Sequence, residues 1–168
     1  MIRSRSIGLL ALVALSAASC TQQSSPSAVA PVAAQLSVER FLQAANEHDV
    51  DAMGHLFGTH DGPAMNTGST FGCFFKKIGS WFGGKSCVKR TEVEIRMEAI
   101  ASIIQHDDYQ IVREEAVAGR TVPARRVLVN LTIEGDQVTN APFVVVQTGE
   151  GRWLVEQVPL EQIMQRQR

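Results

Sequence analysis

Three groups of residues in this 168-residue chain have side chains and spacing that could do chemistry. The first is His60-Asp61, adjacent residues of which either could act as a general base. The chain's one tyrosine, Tyr109, could serve them as a hydrogen-bond donor. Asp61-Gly62-Pro63 also suits a plain turn. The second group is His48, His55 and His60. His48 and His55 share a helix face only if a helix runs through Asp49, so no metal site is expected. The third is Cys73 and Cys87 with the residues between them. No histidine lies in that interval, and zinc needs four ligands, so a structural zinc is not expected.

Residues 62–90 have an unusual composition. They contain no acid, five basic residues (Lys76, Lys77, Lys85, Lys89, Arg90) and half of the chain's aromatic residues. Lys76, Lys77, Trp81 and Lys85 could form a contact surface for anionic lipid headgroups or an acidic partner. Alternatively Phe71, Phe74, Ile78 and Trp81 pack inward while the lysines stay solvated. The sequence shows no nucleophile elbow, phosphate loop, zinc-protease motif or dinucleotide fingerprint, and no cofactor is expected. A formal net charge of −1 with 45% hydrophobic residues describes a globular chain, and nucleic-acid binding is not expected.

The elements that must position these residues follow from hydrophobic spacing. Ser37 can cap a helix running to about Glu47, with Val38, Phe41, Leu42 and Ala45 on one stripe. Asp49 can cap a shorter helix bearing Val50, Met53, Leu56 and Phe57, ended by Gly58. Residues 91–105 carry two patterns. Val93, Ile95, Met97 and Ala99 alternate as in a strand, whereas Val93, Met97, Ile100 and Ile104 form a helical stripe behind a Thr91-x-x-Glu94 capping box. The length, without a turn signal, favours a helix. Strands are expected over 109–118, 124–134, 142–148 and 152–158, with turns at Gly135-Asp136 and Gly149-Glu150-Gly151. Arg125-Arg126 reads as the surface start of a strand, and Leu160 to Arg168 as a polar tail. Helices first and an antiparallel meander after them predict an α+β fold.

The N-terminus reads as an export signal over residues 1–19: Arg3 and Arg5, then the short apolar run Ile7 to Ala18. Ala17-Ala18-Ser19-Cys20 resembles the lipobox of bacterial lipoproteins, with Ala17 where leucine is usual. That resemblance implies a lipid on Cys20 and a membrane anchor. An ordinary signal-peptidase site at Ala17-x-Ser19 is the alternative. Thr21 stands where an aspartate would signal inner-membrane retention, which points to the outer membrane. With Cys20 lipidated, Cys73 and Cys87 remain as an even pair, and an oxidising envelope favours a disulfide between them. Residues 20–36, uncharged and rich in small residues, read as a flexible tether to a domain over 37–168.

Two stretches, VERFLQAANEHDVDAMGHLFG (38–58) and FVVVQTGEGRWLVEQV (143–158), resemble the opening helix pair and closing hairpin of the nuclear transport factor 2 superfamily. This superfamily includes ketosteroid isomerases, polyketide cyclases and bacterial lipoproteins. The resemblance implies a cystatin-like cone, with helices on the concave face of a curved sheet and residues 62–90 as an insertion. It also implies a pocket, for which Phe41, Phe57, Tyr109, Phe143 and Trp153 are the candidate lining. The enzymes carry a tyrosine on the opening helix, where this chain has Phe41 and Ala45. The expected role is therefore non-catalytic binding of a small apolar ligand or an envelope protein. A lyase or isomerase using Asp61 or His60 with Tyr109 is the alternative.

Overall fold

The computed structural model describes residues 26–66 and 89–165. Helix α1 spans Pro26–Asn46 and α2 spans Val50–Leu56. A two-residue hairpin follows, β1 (Gly58–Thr59) with β2 (Gly62–Pro63). Helix α3 is Arg90–Ile104. The main sheet holds β3 (Asp108–Ala116), β4 (Ala124–Ile133), β5 (Asp136–Gln147) and β6 (Trp153–Gln157). Its strands lie in chain order, every neighbouring pair antiparallel. A short helix, α4 (Leu160–Gln165), ends the described chain. The fold is α+β, with helices contacting a four-stranded antiparallel sheet.

Helix α1 starts well before Ser37. The part of the expected tether from Pro26 onward is helical, and Ala34 is completely buried. Lack of charge suggested a solvated linker, but alanine is the best helix former, and packing of Ala34 holds the extra turns. Ser37 is thus an interior helical residue rather than a cap, and its hydroxyl donates to the Trp153 carbonyl oxygen at 2.9 Å. The expected stripe is intact: Val38, Phe41, Leu42 and Ala45 are all 0% exposed. His48, at φ 51°, reverses the chain after α1. Asp49 then caps α2 as expected, accepting from the Ala52 N–H at 2.9 Å. Phe57, already extended, closes that helix. Gly58 has a different task. A side chain there would meet the Gly62 carbonyl oxygen at 2.4 Å, so the glycine allows the hairpin to close.

Residues 90–104 are helical, and Val93, Met97, Ala101 and Ile104 are the buried stripe. Ile95, which strand alternation would bury, is 66% exposed. The capping box does not form: Lys89 occupies the cap position, and Glu94 accepts from Arg90 instead.

On β4, Val127, Val129, Leu131 and Ile133 join the core, matching the expected alternation. The β4–β5 turn falls on Glu134-Gly135, one residue before the expected pair, and both residues have positive φ. Strand β5 begins at Asp136, six residues before the proline expected to start it. Asn140, at φ 53°, forms a bulge whose N–H is taken by Asn130 Oδ1, and pairing resumes beyond it. The expected polar tail contains α4, which buries Ile163. Helix α1 touches all four strands of the sheet, and the core lies between them.

Candidate functional site

The five residues expected to line a pocket belong to one apolar cluster. Phe41 and Phe143 are fully buried, Trp153 nearly so, and Phe57 and Tyr109 pack against them half-buried. Phe41 on α1 meets Phe57 with ring centroids 6.2 Å apart. Phe143 on β5 and Val127 on β4 are direct cross-strand partners, and Glu114 on β3 is Val127's other partner. Tyr109 meets the His106 ring edge-on at 5.4 Å. Burial raises its phenol above the ordinary tyrosine range, and Glu39 and Asp108 add to that.

The structure does not bring Tyr109 to His60 and Asp61. Tyr109 is on β3, one edge of the main sheet, while the β1–β2 hairpin carrying His60 and Asp61 packs beside β6, the other edge. Three strand spacings of about 4.8 Å separate those edges in the sheet. His60 and Asp61 are exposed and line a surface cleft of about 300 Å³ with Asn66, Thr148, Glu150 and Arg152. His60 Nδ1 donates to the Gln147 carbonyl at 2.7 Å, which ties the hairpin to β5. The carbonyl can only accept, so the proton of a neutral ring sits on Nδ1 and Nε2 is the basic nitrogen. Arg152 pairs with Glu150 at 3.5 Å beside it.

His48 and His55 turn to different partners, Glu98 at 3.3 Å and Asp51 at 3.4 Å. Among the described residues, no three or more His, Cys, Asp or Glu side chains gather as metal ligands. Cys20, Cys73, Cys87, Lys76, Lys77, Trp81 and Lys85 lie outside the described residues. No described helix is long and apolar enough to cross a membrane.

Two polar sites against α1 escaped sequence reading. Near its C-terminus, Asn46 Nδ2 donates to the His106 carbonyl at 2.9 Å, and Asn46 Oδ1 accepts from the His106 N–H at 3.0 Å. The buried His106 ring keeps Nδ1 on the Ile104 carbonyl at 3.0 Å. Toward the other end, Gln35 donates to Glu114 Oε2 at 3.3 Å. The Glu114 side chain is only 6% exposed, and its Oε1 is buried without a hydrogen-bond partner. Arg125 Nε stands 3.4 Å from that oxygen. Burial raises the Glu114 carboxyl above the ordinary glutamate range, with the Gln35 hydrogen bond and the Arg125 charge opposing it.

A bulge puts Glu114 there. Strict alternation from Tyr109 would send residues 111, 113 and 115 inward. The pairing instead shifts between Ile111 and Arg113, so Glu114 lies opposite the buried Val127. Nothing in the sequence of β3 announces that extra residue. No protein-family model matches the chain, and a search of curated proteins finds no similar one.

Proposed function

We propose that this chain is a lipoprotein of the bacterial outer membrane, anchored through Cys20. Its domain is a cone of the nuclear transport factor 2 type, serving as a non-catalytic binding module for a small apolar ligand. One pair of contacts supports the cone. Gln35 bonds to β3 and Ser37 to β6, the two opposite edges of the sheet. Residues two apart on a helix point about 200° apart around its axis. Contacts of this kind from one helix to both edges support a concave layer over a flat one. Apolar side chains line the face toward the helix, which favours an apolar over a charged ligand there. Separation of Tyr109 from His60-Asp61 supports binding over acid–base catalysis.

The test is a two-dimensional methyl NMR titration of the mature domain with a panel of apolar small molecules. Binding shifts the methyls of Val127, Val129 and Val145, and Phe143→Leu weakens it. Shifts confined to other faces, or turnover of a panel compound that His60→Ala abolishes, overturn the proposal. A disulfide between Cys73 and Cys87 belongs to the same reading and requires a two-dalton mass increase on reduction. Accumulation of an uncleaved precursor when lipoprotein signal peptidase is inhibited tests Cys20.

A further inference from the structure

The turn between β3 and β4, residues 117–123, borders an open surface cleft of about 390 Å³ at the end of the sheet. Val117, Val122 and Pro123 give it apolar walls, Thr121 a hydroxyl, and Arg120 and Arg125 two guanidinium groups. Among the described residues, none that lines it is acidic. Both arginines have carboxylate partners that are not among the cleft's lining residues. Arg120 is ion-paired with Glu156 and Arg125 with Glu114.

The two pairs are unequal. Arg120 Nη1 makes a short hydrogen bond to Glu156. Among the described residues, the Arg125 side chain has Glu114 Oε1, 3.4 Å from its Nε, as its one ion-pair partner, and that oxygen accepts no hydrogen bond there. The Arg125 side chain is nevertheless two-thirds buried, at 32% exposure. A guanidinium presents five N–H donors in a fixed fork that matches a carboxylate. No Arg125 nitrogen is buried without a partner, so its donors face solvent, where a carboxylate entering the cleft can accept from them.

We propose that this cleft binds an anionic amphiphile, a carboxylate on an apolar body of the fatty-acid kind, with the head on Arg125 and Arg120 and the chain against Val117, Val122 and Pro123. The site lies outside the pocket proposed above and stands or falls separately from it. Its chemistry accounts for both groups of the imperfect pair. The ligand supplies acceptors that Glu114 does not offer in hydrogen-bonding geometry, and Glu114 opposes a second negative charge. Replacing that carboxylate with a neutral amide therefore strengthens binding.

The experiment is a titration of the full mature protein with octanoate, octanol and acetate, read by chemical shifts of residues 116–125. Octanoate is expected to bind about tenfold more tightly than either octanol, which lacks the charge, or acetate, which lacks the chain. Arg125→Gln abolishes the preference for octanoate over octanol, with circular dichroism confirming the fold. Glu114→Gln tightens octanoate binding several-fold, so the fold-sensitive variant does not carry the test alone. Equal binding of octanoate and octanol, unchanged octanoate binding in Arg125→Gln, or weaker binding in Glu114→Gln overturns the proposal. So does an absence of shifts at 116–125. Shifts at Val127, Val129 and Val145 with none at 116–125 overturn this site while leaving the inner-face pocket standing.

Discussion

Two of the polar contacts that hold helix α1 to the rest of the molecule are of opposite character. Near its C-terminus, Asn46 and the His106 backbone exchange donor for acceptor, and the buried His106 ring is anchored on the Ile104 carbonyl. Nearer the other end, Gln35 satisfies one oxygen of Glu114 and leaves the other buried without a donor. Structures leave few buried polar groups unpaired because each costs about 1–3 kcal/mol. The closed contact is therefore structural: it fixes the end of α1 against the junction of α3 and β3. The open one withholds stability, and it sits beside a cleft with two arginines. Which contact is satisfied separates the end that holds the fold from the end that can change partners.

Breaking the closed contact has the largest expected effect. Asn46→Ala removes two hydrogen bonds to the His106 backbone and a weaker one toward the ring at 3.4 Å. A loss of about 2–3 kcal/mol is expected, because the His106 N–H and carbonyl lose their partners. Urea unfolding measures it, and a loss below about 0.5 kcal/mol would show that water replaces Asn46 at no cost. Next is Ser37→Ala, which tests whether both sheet edges grip α1. The buried hydroxyl loses its bond to the Trp153 carbonyl. About 1–2 kcal/mol of that loss is offset by roughly 0.5 kcal/mol of better helix propensity. A net destabilisation of about 1 kcal/mol is expected. Together with Asn46→Ala it should be additive, since the residues lie nine positions apart on the helix with separate partners. Strong non-additivity would mean that the two ends of α1 are coupled.

These elements differ in how far the sequence disclosed them. The stripe Val38, Phe41, Leu42, Ala45 and the Asp49 cap were legible because helix periodicity and capping are local properties. So were the meander and the buried run Val127, Val129, Leu131, Ile133. Departures came where tertiary contacts outweigh local signals. The helix runs back through Ala34 because packing stabilises it, and β5 runs through Thr139-Asn140 because a bulge absorbs the turn-forming residue. The same holds for the candidate sites. The aromatic cluster was suggested by the resemblance to a known superfamily. The two groups now of most interest could not. Glu114 faces inward only because of the bulge at Val112, and Arg125 looked like an ordinary surface residue at a strand start. A one-residue change of register moves a side chain from solvent to core, and composition gives no notice of it.

The open contact yields the smallest change in stability and the sharpest sign. Glu114→Gln keeps the shape and removes the charge. The Glu114 carboxyl is raised above its ordinary value, chiefly by burial, so the folded protein holds this proton more tightly than the unfolded chain does. At a pH below the ordinary glutamate value both states are protonated, and Glu and Gln proteins should be nearly equal in stability. As pH rises through the ordinary value toward the raised one, the unfolded chain ionises first and the wild type loses stability. Glutamine has no proton to lose there. The variant should therefore be more stable at neutral pH, by about 1 kcal/mol or less, the scale of one imperfectly paired buried group. Urea unfolding of both proteins between pH 4 and pH 8 measures the divergence. Its direction is decisive: if Glu114→Gln is the less stable protein at pH 7, the Arg125 pair outweighs burial. The two ends of α1 would then be alike, both closed, and the contrast between them would disappear.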